Sequence, residues 1–367
     1  MFITIEKREF IEGIQKIIRF TQHGATSLPV LSCVLIIAGD DGIKFRANNL
    51  EIAADFKISG KINTNGVVAI PAGILQQIIS TLNNNGVITL EQTGDTVIIT
   101  TDHIKSTIKT ISQEDFPNIP AIQNKETLSM DSKILTSAVD TTISCASTSN
   151  IRPELASIFF TLTVNSMTVV ATDSFRLVEK TIPVSLSIKQ DISFLVPAKN
   201  ISEILKTIPQ STKIHIYIDE HQLVIKWDEN IITSRLTGGT YPDYKQIIPK
   251  QTTKKAVVLR KDFDALLKHT SIFSDSFQKT TLMFNPKEKT VSLSSHNNDT
   301  GSSTGSVPAE VSGDPIELSF NYRYLQAPIS LTQAENLSLH ANNIGQPLIV
   351  RSVGDNSFLY LVMPMNQ

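Results

Sequence analysis

Cysteine is scarce in this chain, and so is any surplus of charge of one sign. Among 367 residues there are two cysteines, Cys33 and Cys145. They stand in no metal-binding spacing, so they read as buried free thiols of a reducing compartment rather than as a disulfide framework. The net charge is −2, so no global basic field forces a nucleic-acid reading. No apolar run approaches the ~18 residues that a membrane-spanning helix needs. The opening Met1-Phe2-Ile3-Thr4-Ile5-Glu6-Lys7 lacks a basic segment followed by a long apolar core, so no secretory leader is expected. These absences point to a cytoplasmic protein with no membrane partner. A hydrophobic content of 41% and a charged content of 19% fit an ordinary globular protein.

Catalytic parts are missing too. Seven histidines are scattered without His-x-x-x-His or Cys-x-x-Cys spacing. No glycine-rich phosphate loop is present, so neither a metal nor a cofactor is expected. Gly301-Ser302-Ser303-Thr304-Gly305 matches the Gly-x-Ser-x-Gly nucleophile pattern. That chemistry needs a strained turn between a strand and a helix. Here the flanks are His296-Asn297-Asn298-Asp299-Thr300 and Pro308, and the segment His296 to Ser306 reads as a mobile polar loop. A Ser303 hydrolase is the enzymatic rival, and it predicts loss of turnover on Ser303→Ala.

What the chain does contain is repetition. Phe10-Ile11-Glu12-Gly13-Ile14 is answered by Ile134-Leu135-Thr136-Ser137-Ala138-Val139 and by Phe263-Asp264-Ala265-Leu266-Leu267, with steps of about 125 residues. Ile70-Pro71-Ala72-Gly73-Ile74-Leu75 is answered by Val196-Pro197-Ala198-Lys199-Asn200-Ile201, and Asp115-Phe116-Pro117-Asn118 by Tyr241-Pro242-Asp243-Tyr244. A period of this length means whole domains rather than solenoid units. Three domains are expected, over residues 1–124, 125–250 and 251–367.

Each repeat reads strand, helix, strands, helix, strands. Phe10, Ile11, Ile14, Ile17 and Ile18 share one face of a helix. The spacing predicts helices over residues 7–18, 71–82, 132–144, 197–208, 260–272 and 321–332, the last short or kinked at Pro328. Their cations are Lys7, Arg8, Lys16, Lys133, Lys199, Lys206, Arg260, Lys261, Lys268 and Arg323. Their anions are fewer: Glu9, Glu12, Asp140, Glu203, Asp262 and Asp264. The helices are therefore basic and the remainder of the chain acidic. Helices sharing one surface would attract phosphates by a sequence-independent, salt-sensitive force; separate solvated faces are the alternative. Ala171-Thr172-Asp173-Ser174-Phe175-Arg176-Leu177 taken alone reads as a β-turn with an Asp–Arg pair.

Several motifs in order resemble the bacterial sliding clamps, the β subunits of DNA polymerase III. These are Leu28-Pro29-Val30-Leu31, Asp115-Phe116-Pro117-Asn118, the segment Ala171 to Leu177, Tyr241-Pro242-Asp243-Tyr244, and the tail Tyr360-Leu361-Val362-Met363-Pro364-Met365. The resemblance spans essentially the whole chain. It implies an α+β clamp fold of three tandem pseudo-repeat domains, with two helices and β-sheets each, closing as a head-to-tail dimeric ring around duplex DNA. It implies an accessory processivity subunit without catalysis, whose partners are a clamp loader, the DNA polymerase III α subunit and other proteins carrying a clamp-binding motif. It also implies a peptide pocket formed by Leu155, Thr172, Ser174, Phe175, Arg176, Leu177, Pro242, Gln246, Ile247, Val362, Met363, Pro364 and Met365. Lys199 and Arg152 are the implied DNA contacts. Ile272 and Phe273 are expected to meet an edge near Ile108 in the dimer.

This sequence departs from the family at several of these places. Ala25, Gly73 and Ile74 stand where basic residues are common, and Pro153 and Glu154 where aromatics are common. Ser174-Phe175 replaces Gly-His, Gln246 replaces a basic residue, and Ser106 a larger apolar one. A binding-module rival, three β-rich domains recognising a protein or carbohydrate surface, predicts an extended monomer with no linkage to DNA.

Overall fold

Among the described residues, each α-helix begins where a strand ends, with no loop between them. The computed structural model describes residues 1–22, 24, 27–119, 128–186, 188 and 190–365. Strand Phe2–Glu6 runs into α1 (Lys7–Ile17), Gly66–Pro71 into α2 (Ala72–Thr81), and Leu128–Asp131 into α3 (Ser132–Thr142). Ile192–Pro197 runs into α4 (Ala198–Leu205), Lys254–Leu259 into α5 (Arg260–Ser271), and Ile316–Asn321 into α6 (Tyr322–Leu331). The backbone changes state at a single residue, as at Glu6 (φ −63°, ψ 135°) and Leu259 (φ −68°, ψ 121°). At α6 the side chain of Asn321 accepts a hydrogen bond from the Arg323 N–H, 3.0 Å away, the usual way to satisfy an orphan donor of a first helical turn.

The chain forms two compact units, and both draw on the middle repeat. One is Met1–Leu135 with Lys199–Leu236; the other is Thr136–Ala198 with Thr237–Gln367. The expected boundary at Asn124 lies outside the described residues.

The first unit holds a five-stranded sheet ending at strand Lys105–Lys109 and an eight-stranded sheet. In the eight-stranded sheet, Asn230–Arg235 pairs antiparallel with Ile52–Ile58, joining strands far apart in sequence. Helix α1 packs on Gly42–Asn48 and Ile52–Ile58 through buried Phe10, Ile11, Ile14 and Ile17. Gly13 makes the close approach possible: a Cβ there would lie 2.6 Å from Ile58 Cδ1 and 3.0 Å from the Phe45 ring.

The second unit is built on one twelve-stranded sheet. Its strand Arg176–Pro183 pairs antiparallel with Asp355–Val362, so the middle repeat is joined to the chain's last strand. The expected loop at His296–Ser306 is instead a hairpin: strand Thr290–Asn297 pairs with Gly301–Ser312. Helix α5 packs on that hairpin, and a Cβ at Gly305 would meet Leu266 Cδ1 at 2.6 Å. The small polar residues that resemble a loop thus form a strand that a helix covers closely. Ser303 lies within this strand, without the strand-to-helix turn a nucleophile elbow requires.

Helix α6 continues through Pro328. Proline removes the N–H that would bond the carbonyl four residues earlier, here Tyr324. The buried Tyr360 hydroxyl donates to that same carbonyl at 2.8 Å, so the missing bond is replaced from the last strand. Arg260 at the start of α5 donates to the carbonyls of Ala334 (2.8 Å) and Ile329 (3.3 Å), covering acceptors at the far end of α6.

Candidate functional site

The turn at Asp173–Phe175 is closed by side-chain hydrogen bonds. Asp173 Oδ1 accepts from the N–H groups of Phe175 and Arg176, both at 3.0 Å, while Oδ2 accepts from Arg176 Nε at 2.9 Å. The Thr172 hydroxyl donates to the Arg176 carbonyl at 2.7 Å and accepts from the Ser174 N–H at 3.2 Å. The Asp–Arg turn read from the sequence is therefore present. Ser174 has φ 78°, the left-handed region that glycine occupies without steric cost. The turn takes this conformation with serine rather than glycine.

That turn projects Phe175, which is 60% exposed. Its ring stacks on Tyr324 with centroids 6.4 Å apart. The Arg176 guanidinium lies 4.8 Å from the centre of the same Tyr324 ring and donates to the Ser144 carbonyl at 2.7 Å. Cys145, next in sequence, is buried, and burial pushes its thiol up to about 11, so it is neutral at physiological pH.

The C-terminal tail is docked rather than frayed. The Met363 N–H donates to the Phe175 carbonyl and the Met365 N–H to the Ser319 carbonyl, each at 2.8 Å. Met363, Pro364 and Met365 are half-buried. Met363 packs at the edge of a core cluster containing Leu177, Tyr241, Tyr244 and Leu361, with Phe159 and Ile248 beside it. Tyr241 stacks on Phe159 at 4.7 Å, and the Tyr244 hydroxyl donates to Glu179 at 2.5 Å. Burial pushes both phenols far above their ordinary range. Pro242, Gln246 and Ile247 are exposed around the turn Tyr244–Ile247, Ile247 at 48%. Gln246 donates to Asp243 at 2.8 Å.

The register fixes which of the expected pocket residues share a face. Arg176 pairs with Val362 and Leu177 with Leu361, and cross-strand partners share a face. Val362 therefore lies on the Arg176 face, and Leu361 is the neighbour of Leu177. Leu177, Leu361 and Val362 are all fully buried, whereas Phe175 and Ile247 are exposed. Leu155 is buried beside the Arg152–Leu155 turn and is not a member of the Leu177 cluster. Tyr324 and Tyr360 were not anticipated; a long-range hydrogen bond to one carbonyl leaves no trace in sequence periodicity.

Several of the helix cations are already paired within the chain. Lys7 is buried and paired with Asp102 at 3.1 Å, and Arg260 serves α6. Arg8 pairs with Glu12 at 2.9 Å and Lys268 with Asp264 at 2.6 Å. Lys206 lies just past α4 and pairs with Glu203 at 2.7 Å. Lys16, Lys133, Lys199, Lys261 and Arg323 remain exposed without an ion pair among the described residues. Gly73 and Ile74 are also exposed, on α2; Ala25 lies outside the described residues. Lys199 borders a cleft of about 580 Å³ in the first unit. Arg152 is exposed but bonds Glu154 at 3.0 Å, so a phosphate would have to displace that carboxylate.

Of the expected interface residues, Ile272 is 67% exposed and Phe273 half-buried. Ile108 is buried: it faces inward from the edge strand Lys105–Lys109, which offers backbone rather than that side chain. Phe277, 71% exposed, is an additional exposed apolar residue five positions after Ile272 that no periodicity marks.

Comparison with known proteins accounts for nearly the whole chain. Residues 1–120 match the N-terminal domain of the DNA polymerase III beta subunit, 129–243 its central domain and 245–366 its C-terminal domain. The beta sliding clamp of Synechococcus elongatus is 26% identical over 344 residues, 92% of each chain. That of Bacillus subtilis is 21% identical over 100% of this chain and 99% of its own. The crystal structure of the DNA polymerase III subunit beta from Pseudomonas aeruginosa superposes with a TM-score of 0.94, at 21% identity and full coverage of both chains. A second Pseudomonas aeruginosa sliding-clamp structure, bound to griselimycin, gives the same TM-score, identity and coverage. With its three-domain clamp fold and all three domains matched in order, this chain belongs to the DNA polymerase III beta subunit family, the sliding clamps.

Proposed function

We propose that this chain is a DNA sliding clamp: two copies close head to tail around duplex DNA, and partners are tethered through the groove beside the C-terminal tail. The chain is an accessory subunit, and nucleotidyl transfer belongs to the polymerase it holds. The partners are a clamp loader, the α subunit of DNA polymerase III and other proteins with a short apolar clamp-binding segment. The observation that carries this reading is the match of all three domains, end to end, to one family.

Local features support each part. Exposed, unpaired cations on the helices attract phosphates without reading bases, which suits a protein that must slide. The proposed groove would take buried Leu177 and Leu361 as its floor, exposed Phe175 and Ile247 as its rim, and the two methionines of the docked tail beside them. Methionine repacks around different side chains, and a few buried anchors carry most peptide-binding energy. For the ring, strand Lys105–Lys109 ends its sheet with unpaired backbone groups, and Ile272 and Phe277 supply exposed apolar surface. A heterologous contact of this kind closes only if its rotation fits.

The test is topological. The protein is loaded onto nicked circular duplex by a clamp loader, and the DNA is then cut. Release on linearisation is the expected result. Retention on the linear form, or failure to load at all, refutes the ring.

A further inference from the structure

The cleft beside Lys199 contains its own competitor for phosphate. It is bordered by Gln15, Arg19, Gln76, Ser80, Lys199 and Glu203. Five of these six side chains can donate a hydrogen bond, and two of the five are cationic. Glu203, on α4, is the exception, and both of its carboxylate oxygens are engaged. Arg19 Nη1 lies 3.1 Å from Oε2, and Lys206 Nζ lies 2.7 Å from Oε1. Arg19 follows α1 in the turn Ile18–Phe20 and is separated from Glu203 by 184 residues, about half of the sequence. The bridge is therefore a tertiary arrangement, not a local helix pair. Arg19 and Lys206 remain about half exposed, whereas Glu203 is only 23% exposed. Burial raises the Glu203 carboxyl, but its bonds with Lys206 and Arg19 outweigh that and hold it below the ordinary range. It is thus a carboxylate at neutral pH.

A carboxylate held by an arginine and a lysine presents the same acceptors as a phosphate. A backbone phosphate entering this cleft meets Lys199 free and Arg19 occupied. We propose that Glu203 is an affinity-limiting residue of the DNA-facing cleft: it occupies Arg19 and Lys206 and keeps the hold on phosphate loose enough for sliding. This rests on the sliding-clamp reading and concerns the regulation of that same site.

The experiment compares intact wild-type protein with Glu203→Gln and Glu203→Ala. Each is titrated with short duplexes of two unrelated sequences across a salt series, with thermal melting as the folding check. Each released cation that contacts a phosphate steepens the slope of log affinity against log salt by about 0.9. The expected steepening is about 0.9–1.8, equal for both sequences. A fourfold rise in salt then weakens the variants by roughly 3.5- to 12-fold more than wild type. Adding Arg19→Gln to Glu203→Gln should return about 0.9 of that slope. Folded Glu203 variants with an unchanged slope, while wild type binds duplex, overturn the inference and leave the clamp reading intact. A steeper slope that survives Arg19→Gln and Lys206→Gln together also overturns it. Glu203 variants that bind duplex no better than a wild type that binds none also overturn the inference, whereas failure to load onto nicked circular duplex with a clamp loader defeats the clamp reading itself.

Discussion

Tyr360→Phe removes one oxygen, and the structure says what depends on it. Pro328 sits inside α6 and offers no N–H to the Tyr324 carbonyl. The Tyr360 hydroxyl supplies the donor at 2.8 Å, from a side chain with no exposed surface. Phenylalanine keeps the packing and leaves the carbonyl unpaired. A buried acceptor stripped of its partner costs about 1–3 kcal/mol; Tyr324 is only half-buried, so the lower part, about 1–2 kcal/mol, applies. For a unit of about 190 residues, at roughly 2–4 °C per kcal/mol, the melting temperature should fall by about 2–8 °C. Calorimetry or urea denaturation gives the measurement. The decisive arm is the double-mutant cycle. In Pro328→Ala the helix regains an N–H four residues from Tyr324, so Tyr360→Phe in that background should cost less than about 0.5 kcal/mol. An equal cost in both backgrounds would refute the argument that the hydroxyl stands in for the bond proline removes. A neutral Tyr360→Phe single variant would refute it as well.

Four further outcomes are expected. Deleting Met363 to Gln367 should leave the second unit folded, because strand Asp355–Val362 is retained, but should abolish binding of a labelled Gln-Leu-x-Leu-Phe peptide in fluorescence anisotropy; unchanged affinity would sink the groove assignment. Ile272→Ala with Phe277→Ala should turn dimers into monomers in light scattering, since large-to-small changes at sites buried in an interface cost about 2–5 kcal/mol; an intact dimer would place the interface elsewhere. Lys199→Glu should weaken duplex binding equally for all sequences and flatten the salt slope by about 0.9 or more; a sequence-selective effect would count against it. His340 is held at about 4, below its ordinary 6.5, by burial and then by Lys255 and Arg351. The unfolded chain therefore binds more protons there between pH 6.5 and 4. This contribution is complete above about 6.5 and is lost as pH falls towards 4. His340→Asn should flatten that part of the stability–pH curve, and a curve of unchanged slope would contradict the assignment.

Much of the candidate site was legible because its parts are local. Asp173 and Arg176 are three residues apart, and a turn closed by Asp oxygens is short-range chemistry. The helices were legible for the same reason: a buried face such as Phe10, Ile11 and Ile14 recurs at helical spacing. The hairpin at Thr290–Ser312 was not. Its glycines and serines have the composition of a loop, and only helix α5 lying over Gly305 explains why they form strands. Nor could local pattern set the register that pairs Leu177 with Leu361 and Arg176 with Val362, because a one-residue shift exchanges the faces of a strand.

The sequence by itself determined the threefold repeat, the order of strands and helices within it, and the family, all of which depend on spacing along one chain. Only the tertiary structure decided which charges are free. Lys7 and Lys199 look alike as letters on helices, yet Asp102 takes one and the other faces a cleft. It also decided that Tyr360 supplies the hydrogen bond that Pro328 denies to α6 and that Glu203 holds Arg19. Those pairings join residues distant in sequence, and burial and hydrogen bonding act through space, where periodicity carries no information.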